Sequence, residues 1–171
     1  ENQVYGTLNA YGWYFSSING SASNPNMLVN NVFSCEFTST TPRALYLTAS
    51  TTDGLDYLEL HHNSFEGRFL SSSTTANGLI YLTGGSATTP AMSKLIMRNN
   101  IFRLVRSSGT FSATGIYYFA GSYLIDSTLS NYNLFQFEGQ GTSPLHRNAS
   151  TNYNSLADWR TATGDDLNSI D

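Results

Sequence analysis

Arg98-Asn99-Asn100-Ile101-Phe102 is the stretch that decides the fold, because its Asn-x-Phe signature stands at three other places in the chain. Val29-Asn30-Asn31-Val32-Phe33, His61-His62-Asn63-Ser64-Phe65 and Asn131-Tyr132-Asn133-Leu134-Phe135 repeat it. The shared Asn recurs at spacings of 32, 37 and 33 residues. Working outward, a second kind of segment precedes each copy: Gly12-Trp13-Tyr14-Phe15, Ala44-Leu45-Tyr46-Leu47, Leu79-Ile80-Tyr81-Leu82 and Ile116-Tyr117-Tyr118-Phe119. Its central tyrosines are 32, 35 and 37 residues apart, so two independent signals share one period. A self-similar period of this length marks a repeat architecture.

These units alternate apolar and polar residues and are rich in Tyr, Phe, Ile and Thr, which predicts strands rather than the helices of a helical solenoid. Strands that recur once per repeat stack in parallel, and equivalent positions then form ladders. Asn31, Asn63, Asn100 and Asn133 are expected to form an amide ladder at a turn, where Asn tolerates left-handed backbone. Phe33, Phe65, Phe102 and Phe135 are expected to stack as a core column. The same register sets Glu66 beside Arg103 and Glu36 beside Arg68, predicting two salt bridges between adjacent repeats.

The Asn-Asn-x-Phe pattern after an alternating strand, with Gly-Φ-Tyr strands between, resembles the right-handed parallel β-helix repeats of the pectate-lyase-like superfamily. The tail from Tyr153 to Ile170 resembles the closing segment of many bacterial domains of this kind, and Ser130-Asn131-Tyr132-Asn133-Leu134 resembles the strand before it. The resemblance implies an all-β right-handed parallel β-helix, a solenoid of about four coils at roughly 1–37, 38–70, 71–107 and 108–140. An end-piece over 141–171 would carry a short capping helix near 155–163. The helix reads directly from the residues: Ser155 and Asp158 form a capping-box-like start, Leu156, Trp159 and Ala162 share a face, and Gly164 suits the position after the end. Asp165 and Asp166 read as residues of the turn that follows, with calcium ligands as the competing reading. A β-sandwich carbohydrate-binding module is the competing fold, but a sandwich requires no fixed spacing of Asn.

With 171 residues the chain is long enough for one domain with a sizeable core. Only 12% of residues are charged, and seven Arg with the single Lys94 give no basic stripe, so nucleic acid is not an expected partner. Cys35 stands alone and reads as a buried thiol. No apolar run reaches membrane-spanning length. The start at Glu1, read as lying inside a coil, and the strand-like Leu167–Ile170 at the end lead to the expectation of a segment of a larger exported bacterial protein, extracellular or on the cell surface.

The chemistry-bearing residues are few, and neither cofactor nor metal is implied. His61 and His62 are adjacent on an expected strand and point to opposite faces, which prevents a shared metal. His61 and Arg98 stand two residues before the ladder Asn and are expected to be outward neighbours, a pair with which a lyase could handle an acidic sugar. With Trp13, Leu45, Ile80 and Tyr117 pointing inward, Tyr14, Tyr46, Tyr81 and Tyr118 point outward as a flat aromatic row suited to glycan or protein. A covering loop over 17–26 or 83–93 would instead make that row ordinary packing. Two sequons, Asn19-Gly20-Ser21 and Asn148-Ala149-Ser150, fall in expected loops. Three functions follow: a non-catalytic scaffold or adhesion segment with glycan contact, part of a polysaccharide lyase or glycoside hydrolase, and a structural module docked through its open ends onto further coils or another protein chain.

Overall fold

The computed structural model describes residues 2–16, 18–49, 56–71, 77–84, 92, 94–107, 114–119, 130–139, 146–148 and 151–171. Among these, strands fall into three sheets. One holds β1 (Gln3–Leu8), β4 (Val32–Phe37), β7 (Ser64–Phe69), β10 (Ile101–Arg106) and β13 (Leu134–Glu138), in that spatial order. A second runs β2 (Tyr11–Ser16), β5 (Arg43–Ala49), β8 (Asn77–Gly84), β11 (Thr114–Phe119), β14 (His146–Asn148) and β15 (Thr151–Tyr153). The third is β3 (Asn26–Val29), β6 (Leu58–His61), β9 (Leu95–Arg98) and β12 (Ser130–Asn131). Strands of one sheet thus come from successive repeats, and every pairing is parallel except β14 with β15. A parallel ladder of this order is compatible with a β-helix and departs from the antiparallel pairing of a sandwich.

Each Asn-x-Phe signature straddles a corner between the third sheet and the first. Asn63 donates its Nδ2 to Asn100 Oδ1 at 3.1 Å, and its backbone N–H reaches the same oxygen at 3.0 Å. Asn31 treats Asn63 the same way, at 2.9 and 3.0 Å, and Asn100 treats Asn133 so at 3.1 and 3.0 Å. The left-handed residue at each corner is not the ladder Asn but the one before it. Asn30, His62, Asn99 and Tyr132 have φ of 57°, 55°, 56° and 57°. The ladder amide bridges two repeats and holds its neighbour in that conformation, at a cost for non-glycine residues of about 1–2 kcal/mol each. His62 therefore sits in the turn, exposed, and only His61 belongs to a strand.

The core lies between the sheets. Phe33, Phe65, Phe102 and Phe135 are in register and fully buried, with successive ring centroids 6.4, 5.7 and 5.6 Å apart. Complete burial of one such ring contributes roughly 1.5–3 kcal/mol. Facing them is the inward row Trp13, Leu45, Ile80, Tyr117 and His146. Cys35 is buried, its thiol 3.8 Å from the Val4 carbonyl, and burial raises its pKa, so it stays a protonated, inert thiol.

The C-terminal end is closed. Helix α1 (Leu156–Thr163) starts where Ser155 Oγ accepts from the Asp158 N–H at 3.1 Å, and it stops at Gly164, whose φ of 76° suits glycine. Leu156 and Trp159 face the core, whereas Ala162 is exposed because it lies past the contact patch. The closing segment contributes a single bridge, Ile170 with Leu134, rather than the strand expected over Leu167–Ile170. Asp166 ends the ladder. Its carboxylate accepts from Asn133 Nδ2 at 2.9 Å, Ser169 Oγ at 2.7 Å, Ser130 Oγ at 3.1 Å and Trp159 Nε1 at 3.2 Å. Four donors occupy this buried carboxylate and give it a structural task. No helix among the described residues is long and apolar enough to cross a membrane.

Candidate functional site

Strand β2 sets Tyr14 beside Tyr46 of β5, which lies beside Tyr81 of β8, which pairs in backbone register with Tyr118 of β11. Ring centroids are 5.1 Å apart between Tyr14 and Tyr46 and 5.5 Å between Tyr46 and Tyr81, both edge-on. This geometry favours aromatic pairs because the positive edge of one ring meets the negative face of the next. The row is not uniformly open. Tyr14 is 55% exposed, Tyr46 is half-buried, and Tyr81 is only 6% exposed. The side chain of Tyr118 lies outside the described residues, as do parts of the loops over 17–26 and 83–93 expected to cover the row.

Two residues enlarge this face beyond the tyrosines of the repeat. Tyr11 is 43% exposed, and its ring lies 5.0 Å from that of Tyr46. The Arg43 guanidinium stands 3.9 Å from the Tyr81 ring centroid, 4.4 Å from that of Tyr46 and 5.4 Å from that of Tyr11. A guanidinium over aromatic faces is attracted by the ring quadrupoles. The signal was available: Tyr11 and Arg43 each stand three residues before a row tyrosine and pair across the strands. The open surface is therefore Tyr11, Tyr14 and Tyr46, continued by the hydroxyl row Ser16, Thr48 and Thr83.

Gly12 makes the arrangement possible. A Cβ there would collide with the Phe33 ring and the Ala44 carbonyl, so only glycine lets β2 lie this close to the first sheet.

His61 and Arg98 are in register on β6 and β9, between Val29 on one side and Asn131 on the other. The structure adds Glu59, whose Oε2 lies 2.9 Å from His61 Nε2. Glu59 and His61 alternate onto the same face of one strand, a spacing the Leu58–His61 segment spells out.

Elsewhere the charges serve the stack. Arg68 meets Glu36 at 2.9 Å and Arg103 meets Glu66 at 2.9 Å. Arg103 also reaches Glu138 through Nε at 3.2 Å and Nη2 at 3.0 Å, a partner one repeat further on. Hydrogen bonds to Glu138 and then Glu66 raise the Arg103 pKa, fixing its charge. Among the described residues, no three His, Cys, Asp or Glu side chains converge as metal ligands would. Comparison with known proteins found no matching family, no matching curated protein and no matching solved structure.

Proposed function

We propose that this chain is a segment of a right-handed parallel β-helix of the pectate-lyase-like kind, exported by a bacterium to its surface or medium. In this reading it acts as a non-catalytic scaffold and adhesion element that contacts glycan through Tyr11, Tyr14 and Tyr46. Parallel crossovers are almost always right-handed, which supports the hand. The low charged fraction of 12%, with abundant Ser, Thr and Asn, supports export. The observation that carries the binding role is the exposed pair Tyr11 and Tyr14 flanking Tyr46 at 5.0 and 5.1 Å. Rings at that spacing, Tyr11 tilted against Tyr46 and Tyr14 edge-on to it, form a shallow apolar surface edged by phenol hydroxyls. The C–H face of a sugar ring can lie on it while its hydroxyls meet the phenols and the Ser16 and Thr48 row.

The test is a glycan-array screen of the protein beside a Tyr14→Ala/Tyr46→Ala variant. Tyr81 is the wrong target, since it is buried and its loss would confuse folding with binding. Glycan binding that disappears in the variant supports the reading; absence of binding by the parent protein refutes it.

One observation favours a second reading, part of a polysaccharide lyase or hydrolase. His61 held by Glu59 at 2.9 Å and neighboured by Arg98 is a base oriented by a carboxylate beside a cation. Depolymerisation of an acidic polysaccharide by the protein, abolished in His61→Ala, would establish it over the adhesion role.

A further inference from the structure

The amide ladder has a direction, and the direction selects what can dock on the N-terminal face. In every step the backbone N–H and Nδ2 of one Asn donate to the Oδ1 of the Asn in the following repeat. Asn2 is a further member that the repeat signature does not reveal. Its N–H and Nδ2 donate to Asn31 Oδ1 at 3.1 and 3.0 Å, and its carbonyl accepts from Val32 N–H at 2.9 Å, as the Asn31 carbonyl does from Ser64. The Oδ1 of Asn2 then faces outward as an acceptor, and no donor among the described residues reaches it. At the other end the ladder is closed by Ser169 and Asp166.

The apolar side chains tell the same story. Val4, Trp13, Phe15 and Leu28 are partly buried, whereas their partners Phe33, Leu45, Leu47 and Leu60 are completely so. They border a concavity of about 530 Å³ with Asn2 and Gly12. Among the described residues, strands β1, β2 and β3 each have a sheet neighbour on one side only.

We infer that this face docks the C-terminal-facing edge of another parallel β-solenoid segment, one whose corner carries an amide that donates into Asn2 Oδ1. A second copy of this chain does not fit. Two copies meeting by this face bring acceptor against acceptor at the ladder, and at the opposite end of a copy the ladder Asn133 is already capped by Ser169 and Asp166. The inference rests on the hydrogen-bond polarity and is independent of glycan binding.

The test places a copy of residues 31–61 directly ahead of Glu1, so that the copied Asn31 precedes Asn2 by the same interval that separates Asn31 from Asn63. A second version carries Leu in place of the copied Asn31. Hydrogen exchange of the β1, β2 and β3 amides is measured in both and in the parent chain, whose sedimentation is followed over a hundredfold concentration range. The expected result is exchange at least tenfold slower in the Asn version than in the parent, with most of that protection lost in the Leu version, and a monomeric parent. An added repeat that stays unfolded or protects nothing overturns the inference. Equal protection by the Leu version overturns the amide requirement, and concentration-dependent dimers of the parent with protected edges assign the face to a second copy.

Discussion

Replacing Asn100 by Ala removes the middle of the ladder. Its Oδ1 accepts from Asn63 N–H at 3.0 Å and Asn63 Nδ2 at 3.1 Å; its Nδ2 donates to the Leu60 carbonyl at 2.8 Å and Asn133 Oδ1 at 3.1 Å. Two of these partners have another contact in the variant: Asn63 Nδ2 still donates to Leu28, and Asn133 Oδ1 still accepts from the backbone of residue 100. The Asn63 N–H and the Leu60 carbonyl each lose a partner at a buried site. The Leu60 carbonyl stays within the β6–β9 ladder, so the buried Asn63 N–H is the group left unsatisfied and the expected destabilisation is about 1–3 kcal/mol. That is a large share of the roughly 5–15 kcal/mol typical of a domain. Asn31→Ala removes a similar set, but the Asn2 contacts it breaks lie at the exposed end where water replaces them. Its cost should be about half as large. Urea unfolding followed by circular dichroism measures both, with the slope checked for constancy so that the midpoint shift reports stability. A cost below about 1 kcal/mol for Asn100→Ala, or equal costs at the two positions, would refute the claim that buried amide satisfaction holds the corners.

His146 is fully buried and stacked 4.4 Å from the Tyr117 ring, and desolvation lowers its pKa from 6.5 to about 3. The unfolded chain therefore takes up the proton first: stability is unaffected above pH 6.5 and falls by about 1.4 kcal/mol per unit below it, levelling near the folded pKa. Titrating unfolding from pH 7 to 4.5 should show a loss of about 3 kcal/mol that is absent from His146→Phe; parallel curves would exclude His146 as the cause. Double-mutant cycles should give the Arg103–Glu138 pair a coupling of about 1 kcal/mol and the more exposed Arg68–Glu36 pair under about 0.5 kcal/mol, both shrinking in high salt. Gly12→Ala should cost roughly 1–3 kcal/mol by forcing β2 off Phe33, and a thermal melt matching the parent's would contradict the close approach. Because repeats contact only their neighbours, native-state hydrogen exchange should slow from β1 through β4 to β7, and uniform rates would mean that the stack opens as one unit.

What could be read from the residues follows a physical rule. Positions where each repeat needs the same chemistry keep the same residue, so the ladder Asn, the Phe column, the Tyr register and both interstrand ion pairs were legible from spacing alone. The helix caps at Ser155 and Gly164 were legible because local geometry dictates them. Positions that satisfy one geometric need with different chemistry were not. Asn30, His62, Asn99 and Tyr132 share a left-handed backbone but no common side chain, since a neighbour holds them there. Asn2 escapes notice because Val4, not Phe, pairs with Phe33 in its repeat. His146 belongs to the inward row of Leu45, Ile80 and Tyr117, yet a histidine interrupts its apolar pattern. In the candidate site, the outward direction of the tyrosines follows from alternation, but the burial of Tyr81 depends on where the long Arg43 side chain lies, and no period encodes that.

The ladder and the tyrosine surface are linked by register. A parallel strand that slips by one residue turns its outward side chains inward, so the edge-on meeting of Tyr14 with Tyr46 exists only while adjacent repeats stay aligned. Alignment is set at the corners, where each Asn amide reaches two groups of the neighbouring repeat and tolerates no such slip. Interstrand pairs such as Arg68 with Glu36 reinforce the register at little energetic gain. Buried amides at the corner between the first and third sheets therefore supply the alignment on which the tyrosine face of the second sheet depends.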